Sequence, residues 1–275
     1  MAKDTRELDE GDQGEELWDK TQAKPEILVL GSAGQVGCEL MRQLGYANMA
    51  DIVLSRPREL LNIADHEKVQ ALIEGIRPRL VINLAATNPY RVNDDREHWN
   101  TNAKAVSHLV KMCALNEAAF IHLSTVDVFE GDGHYLPYME YDPISPESAY
   151  ARSKAAGEHA ILAVAQYPAP EFVNFKYWIL RTALLYESPT RYYHHAMQLY
   201  LNQAMRTRDH LPLPGDVQCS TTYVPHLVQQ LIWLINSYKS VPNGLYHVAN
   251  AGETSIYNWI RYALQHCSNR VTIDN

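Results

Sequence analysis

The sequence predicts an α/β protein with a doubly wound parallel sheet and a small C-terminal lobe formed by later segments. Short apolar runs alternate with amphipathic helical stripes between residues 25 and 185, which is the pattern of βαβ units. The first of these runs, Glu26–Leu30, leads directly into a glycine-rich turn and then a helix. Sheets of this kind bind ligands across the carboxyl ends of their strands, so we expect the site there.

Composition excludes several classes of protein. The chain has 275 residues, 46% hydrophobic and 20% charged, which suits a globular domain with a sizeable core. Its net charge of −8 argues against a nucleic-acid partner. Because no apolar run approaches the ~18 residues that span a bilayer and the first residues lack a signal-peptide core, we expect a cytoplasmic protein with no membrane partner. The four cysteines are scattered without a CxxC pair, which predicts reduced thiols and no metal site.

Two regions of the chain differ in composition. Residues 1–24 carry eight acidic and four basic residues with almost no apolar periodicity, which predicts a disordered acidic leader. Residues 25–275 are predicted to form a single domain. Within it, residues 25–185 would mainly bind a dinucleotide and residues 186–275 would mainly form the substrate lobe.

The turn after the first strand has the composition of a phosphate-binding loop. Its residues are Gly31, Ser32, Ala33, Gly34, Gln35, Val36 and Gly37. Strand, glycine turn and helix in this order are the setting of a dinucleotide fingerprint. The glycines permit a tight turn, close approach of a pyrophosphate and close helix packing, while free amides at the helix start face the phosphates. We therefore predict a Rossmann-type dinucleotide site, with a ligand-free βα turn as the alternative.

The end of the second predicted strand, Ile52–Ser55, indicates which cofactor is bound. An acidic residue there holds the ribose of NAD, whereas an arginine accommodates the 2′-phosphate of NADP. This chain has Ser55, Arg56 and Arg58, with no acid before Glu59. The pattern favours NADP (as NADPH) over NAD, which stays possible; the alternative is that the arginines are only solvated.

Further residues along the chain would complete the cofactor site. Asn62 and Ile63 follow the arginines and would flank the adenine. The third strand, Leu80–Leu84, leads into small residues that would lie against the nicotinamide ribose, namely Ala85, Ala86 and Thr87.

The remaining elements follow from periodicity and caps. Asp65 would cap a helix that reaches Ile76, and a later helix carries Asn102 followed by an apolar stripe that belongs in the core. The other predicted elements are strands at 119–123, 177–180 and 244–248 and helices at 150–165, 195–205, 225–237 and 254–266. His194 and His195 form a pair that is better explained by a surface or substrate-loop role than by metal binding.

Two side chains at helical spacing carry the predicted chemistry. Tyr150 and Lys154 stand four residues apart and therefore lie on one face of a helix. A nearby ammonium favours the phenolate and lowers the pKa of the phenol, which makes Tyr150 an acid or base near neutral pH. Thr125, at the end of a strand, would hydrogen-bond the same reacting oxygen. Alone, such a Tyr/Lys pair is usually a surface coincidence, so the assignment depends on its context.

Eight motifs in a fixed order supply that context. They are GSAGQVG at 31, RPRELLNIAD at 56, RPRLVINLAA at 77, NTNA at 100, HLSTVDVFEG at 122, YARSKAAGE at 150, LRTALLY at 180 and GETSIYNW at 252. In these motifs the chain resembles the extended short-chain dehydrogenase/reductases, and the resemblance covers about residues 26 to 267. Within that superfamily it resembles the dTDP-4-dehydrorhamnose reductase group.

The resemblance implies an NADPH-dependent reductase that acts on a 4-keto nucleotide sugar. Tyr150 would protonate the C4 oxygen, and Lys154 would hold the nicotinamide ribose and depress the pKa of Tyr150. Thr125 matches the catalytic Ser/Thr of the family, and Asn102 matches a helix asparagine tied to the proton relay. A homodimer would be compatible with the resemblance.

Departures from the family pattern keep other functions open. Val126 and Asp127 stand where the family commonly has Asp-Tyr, Leu184 replaces a tryptophan and Glu187 replaces a glycine. The C-terminal segment that shapes the sugar pocket is also expected to be short. The alternatives are a nucleotide-sugar epimerase and a nonenzymatic NADP-binding regulatory subunit, of the type that regulates methionine adenosyltransferase.

Overall fold

A computed structural model gives the fold of most of the chain. It describes residues 25–47, 49, 53–89, 92–129, 131, 136–166, 172, 174–187 and 218–267. The predictions made for the acidic leader, for a helix at 195–205 and for His194 and His195 lie outside these residues.

A parallel sheet forms the centre of the fold. The strands are β1 (Ile27–Leu30), β2 (Val53–Arg56), β3 (Leu80–Asn83), β4 (Ala119–Thr125), β5 (Tyr177–Thr182), β6 (Leu184–Tyr186), β7 (Thr221–Tyr223) and β8 (Gly244–Val248). Six of them form one sheet in the order β2-β1-β3-β4-β5-β8, and every neighbouring pair in it is parallel. The short strands β6 and β7 pair separately, also in parallel. The predicted parallel sheet is therefore confirmed.

Helices cover both faces of this sheet. They are α1 (Gln35–Tyr46), α2 (His66–Ile76), α3 (Asp95–His98), α4 (Ala105–Leu115), α5 (Ala149–Gln166), α6 (Val224–Ser237) and α7 (Ile256–Cys267). A π-helical segment, Trp99–Lys104, joins α3 to α4, and a 3-10 turn, Val126–Val128, follows β4. The predicted cap of α2 is confirmed, because the Asp65 side chain accepts a hydrogen bond from the Lys68 amide. None of the helices in the described ranges has the length and apolar run needed to cross a membrane.

Alternate residues of each strand pack against different helices. In β1, Leu28 and Leu30 belong to the core formed with α2, α4 and α5, whereas Ile27 and Val29 belong to the core formed with α1 and α6. Burial on both faces explains why these strands are apolar runs without alternation. The apolar stripe predicted for α4 is also confirmed as core, since its members are fully buried: Ala105, Val106, Leu109, Val110 and Cys113.

The strand order places a crevice at the carboxyl ends of β1 and β3. The chain leaves β1 toward β2 on one side and later returns to β3 on the other side, which makes this the topological switch point. Segments beyond residue 186 contribute to the same body, because β8 extends the main sheet and α6 packs against α1. The division into two functional regions at residue 185 stays a prediction.

Candidate active site

The glycine turn after β1 lines the crevice with backbone atoms. Gly31 has a φ of 77°, and its amide donates to the Arg56 carbonyl at 3.0 Å. A Cβ on Gly31 would lie 2.5 Å from the Ala85 amide nitrogen, and one on Gly37 would lie 2.3 Å from the Gly31 oxygen. Gly34 caps α1 without a side-chain hydrogen bond. Since no side chain covers it at the cap, the start of α1 can offer its amides to a phosphate.

Gln35 and its neighbours provide a test of whether a dinucleotide fits. The Gln35 Nε2 atom is buried without a hydrogen-bond partner among the described residues. A buried donor without an acceptor is costly, and a phosphate oxygen at this turn would supply one. Ala33 is exposed at the turn, Ser32 is nearly buried, and the side chain of Val36 packs into the core. The residues of this turn therefore fit the dinucleotide pyrophosphate that the glycine fingerprint predicts.

Arg56, the last residue of β2, and Arg58, two residues beyond it, differ in their surroundings. Arg56 is half-buried, and its Nη1 donates to the Ser55 carbonyl at 3.0 Å. Arg58 instead forms an exposed ion pair with Glu97 of α3, with Nη2 2.7 Å from Oε1. Arg58 is therefore tied to α3, and the contact of Arg56 with a 2′-phosphate stays a prediction.

The side chains of the other predicted cofactor residues differ in how deeply they are buried. Asn62 is exposed, with Oδ1 accepting from the Ala64 amide, whereas the Ile63 side chain is buried in the core near α2 and α4. Ile63 can thus offer only its backbone to a cofactor. Ala86 is exposed after β3, and Ala85 is half-buried.

A buried hydrogen-bond network ties the end of β3 to α5 through Asn102. The Asn102 Oδ1 accepts from the Thr87 amide, and Nδ2 donates to the Thr87 carbonyl and to Ser153 Oγ, each at 3.0 Å. Ser153 Oγ in turn donates to the Tyr150 carbonyl at 2.7 Å. A Cβ on Gly157 would lie 2.4 Å from the Asn102 carbonyl oxygen, so α5 packs directly on the π-helical segment. The Asn102 side chain thereby fixes the helix that carries the catalytic candidates; its predicted part in a proton relay stays a prediction.

Thr125 and Tyr150 lie where β4 and α5 meet the crevice. Thr125 is the last residue of β4, and its Oγ1 accepts from the Asp127 amide at 3.2 Å. Burial raises the pKa of the Asp127 carboxyl, and a hydrogen bond with the Thr125 side chain opposes this to a smaller extent. Tyr150 is half-buried in the first turn of α5, where the helix dipole favours an anion. Its ring makes an edge contact with His98, with centroids 5.8 Å apart.

Lys154 is buried beneath Tyr150. Its Nζ donates to the Leu123 carbonyl at 2.7 Å and lies 3.3 Å from His122 Nε2. Burial lowers the pKa of Lys154 to about 8, against a smaller opposing effect of Glu158. A lysine with this pKa is partly deprotonated near neutral pH, whereas an ordinary surface lysine stays protonated.

The buried lysine predicts a pH-dependent stability. The unfolded chain keeps its proton up to the ordinary lysine pKa of 10.5, whereas the folded protein releases it at about 8. Between these values the unfolded state binds more protons, so the contribution of Lys154 to the free energy of unfolding rises with pH. We expect the free energy of unfolding of the wild type, minus that of Lys154→Met, to rise by about 3 kcal/mol from the lower to the upper end of this pH window. Urea unfolding measures both values. The matched control is Lys104→Met on the exposed surface, which should follow the wild type, and parallel curves for Lys154→Met would contradict the expectation.

A second buried charge lies one helical turn beyond Lys154. Glu158 accepts from Arg181 of β5 through Nη2 at 2.7 Å and Nε at 3.0 Å, and it also accepts from Ser124 Oγ. The side chains of Glu158 and Arg181 are 1% and 4% exposed. Arg181 also lies over the Phe129 ring, 4.9 Å from its centroid. This cluster joins α5 to the carboxyl ends of β4 and β5, directly behind Thr125.

The fold and this site define a protein of the extended short-chain dehydrogenase/reductase class. The sequence profile described as RmlD substrate binding domain matches residues 25–272, so the chain belongs to that family. SpsK, a spore coat polysaccharide biosynthesis protein of Bacillus subtilis, is 30% identical over 243 residues, which are 86% of this chain and 76% of SpsK. The dTDP-4-keto-6-deoxy-D-glucose reductase of Streptomyces niveus is 29% identical over 239 residues, 85% of this chain and 76% of the reductase.

A solved structure agrees with the fold. The dTDP-4-dehydrorhamnose reductase from Bacillus anthracis, crystallised in complex with NADP, superposes with a TM-score of 0.75 at 25% identity. The match covers 91% of this chain and 83% of that enzyme. The resemblance read from the motifs is thereby confirmed at the level of the family.

Proposed function

We propose that the protein is an NADPH-dependent reductase of a 4-keto nucleotide sugar. The observation that carries the proposal is Tyr150 in the first turn of α5, one turn before buried Lys154, whose Nζ donates to the Leu123 carbonyl two residues before Thr125 at the end of β4. The reductases among its relatives support a keto group at C4 of a dTDP-linked deoxysugar as the substrate class.

The residues divide the chemistry between them. When bound, NADPH supplies the hydride to the keto carbon. Tyr150 donates the proton to the keto oxygen, and Thr125 donates a hydrogen bond to the same oxygen and orients it. As an ammonium, Lys154 stabilises the phenolate that Tyr150 leaves behind. The Asn102 network holds α5 against the π-helical segment, and this fixes the helix that carries Tyr150 and Lys154.

The preference for NADPH should depend on Arg56. A hydrogen bond to a charged group contributes about 1.5–3 kcal/mol, so Arg56→Ala should weaken NADPH binding about tenfold or more and leave NADH binding nearly unchanged. Calorimetric titration of both cofactors measures this. Arg58→Ala is the matched control, because Arg58 already pairs with Glu97, and it should affect neither cofactor. Equal losses for both cofactors in Arg56→Ala would contradict the assignment.

Turnover can be followed through the absorbance of NADPH with a panel of 4-keto nucleotide sugars. The proposal predicts stoichiometric oxidation of NADPH with at least one dTDP-linked 4-keto sugar. Interconversion of sugars without net oxidation would indicate an epimerase. Binding of NADPH without turnover on any member of the panel would favour a regulatory subunit.

A further inference from the structure

His122 occupies an unusual position for a titratable side chain. It lies in the middle of β4, fully buried, and pairs in register with Asn83 of β3, so both side chains point to the face covered by α5. His122 Nδ1 is 3.1 Å from Asn83 Nδ2, and Nε2 is 3.3 Å from Lys154 Nζ. The proposed chemistry uses neither His122 nor Asn83, yet His122 contacts the lysine on which it depends, and Asn83 contacts His122.

The backbone fixes the orientation of the Asn83 amide. The amide N–H of Ala85 donates to Asn83 Oδ1 at 3.2 Å, so the atom that faces this N–H must be the oxygen. The Asn83 nitrogen therefore faces His122 and donates to Nδ1. As an acceptor, Nδ1 carries no proton, and a neutral imidazole must then carry its proton on Nε2.

This tautomer determines which form of Lys154 fits the contact. The Nε2–H group of His122 points at Lys154 Nζ and needs an acceptor there. A neutral amine has one lone pair and can accept while it donates to the Leu123 carbonyl, whereas an ammonium has only donors. A doubly protonated His122 would face donors on both sides, and burial together with Lys154 holds the pKa of His122 well below its ordinary value.

From this geometry we infer that His122, held in the Nε2–H tautomer by Asn83, is a positioning residue that binds the neutral amine of Lys154. When Lys154 is protonated, its ammonium loses this partner and becomes available to Tyr150 and to a bound cofactor. The pair thus sets where the lysine points in each protonation state. The inference uses the role proposed above for Lys154, but the contacts themselves involve neither substrate nor cofactor.

Other charged groups around Lys154 do not replace this contact. Glu158 on α5 raises the pKa of Lys154, but it is engaged by Arg181 of β5. Tyr150 precedes Lys154 by one turn on α5 and contacts His98. A pH above the pKa of about 8 for Lys154 therefore favours the His122-bound amine, and a lower pH favours the ammonium.

Nitrogen NMR of the histidine rings in the full chain, without ligands, tests the inference. His122 is assigned by the loss of its signals in H122Q. At a pH above the pKa of Lys154, we expect a proton on Nε2 and none on Nδ1. The Nδ1–H tautomer in the wild type would overturn the inference, and this measurement needs no catalysis, so an inactive protein does not affect it.

Asn83→Asp should switch the tautomer. Aspartate can accept from both the Ala85 amide and His122 Nδ1–H, which moves the ring proton to Nδ1 and makes Nε2 an acceptor for the ammonium. We expect the pKa of Lys154, followed through its Cε resonance, to rise by about one to two units. The control is His159→Gln on the exposed face of α5, which should change neither signal. An unchanged tautomer in a folded Asn83→Asp protein would overturn the inference, and the wild-type tautomer alone decides it if that variant does not fold.

Discussion

Replacing Tyr150 with phenylalanine should lower kcat by about 10²- to 10⁴-fold while leaving NADPH affinity nearly unchanged. The substitution keeps the ring and its edge contact with His98 and removes only the hydroxyl that donates the proton. General acid catalysis by a positioned side chain is worth about this much. Steady-state kinetics on a 4-keto nucleotide sugar gives kcat, and a fluorescence titration gives the affinity.

The matched control for this variant is Tyr141→Phe. Tyr141 is 81% exposed, so losing its hydroxyl should alter neither rate nor stability. A role for Tyr150 in packing alone would lower the Tm of Tyr150→Phe and spare its specific activity. That result would refute the role of Tyr150 as proton donor.

Replacing Arg181 with methionine should lower the free energy of unfolding by about 3–5 kcal/mol. The loss arises because Glu158 would stay buried between α5 and the sheet without its opposite charge. Urea unfolding measures the effect. We expect the double variant Glu158→Gln/Arg181→Met to recover part of the loss, since it removes the uncompensated carboxylate.

An exposed ion pair in the same protein provides the comparison. Arg79 and Glu26 also lie 2.7 Å apart, but both side chains are 47% exposed. Pairs of this kind contribute about 0–1 kcal/mol, so Arg79→Met should change stability little. Similar losses for Arg79→Met and Arg181→Met would show that burial does not decide the strength of the Glu158 pair.

Local sequence patterns predicted the parts of the structure that depend on local geometry. The glycine turn could be predicted because close backbone approaches at Gly31 and Gly37 exclude any side chain. Lys154 could be placed on one helical face with Tyr150 because α5 is regular over both positions. The cap at Asp65 likewise depends on residues within one turn.

Features that depend on register between distant segments could not be predicted in the same way. The pairing of Asn83 with His122 exists because β3 and β4 are aligned residue by residue, which no local pattern encodes. A histidine inside an apolar strand, and an arginine such as Arg181 inside another, were signals that a buried partner had to exist. Their partners, Lys154 and Glu158, became visible only in three dimensions.

Packing limits the part that two residues near the predicted cofactor site, Ile63 and Arg58, can play. Ile63 follows Asn62 in the sequence, but its side chain packs into the core and leaves only the backbone for the adenine. Arg58 is two residues from Arg56, yet it reaches Glu97 on α3. Spacing from a strand end proposes candidate residues, and packing against neighbouring elements determines where the side chains of Ile63 and Arg58 lie.

The most direct test of the reductase assignment follows the transferred hydride itself. NADPH with both C4 hydrogens of the nicotinamide replaced by deuterium is incubated with the protein and a dTDP-4-keto-6-deoxy sugar, and the product is examined by mass spectrometry. We predict one deuterium at C4 of the product sugar for each NADPH consumed. Tight binding of NADPH with no deuterium transferred to any 4-keto sugar would contradict the assignment.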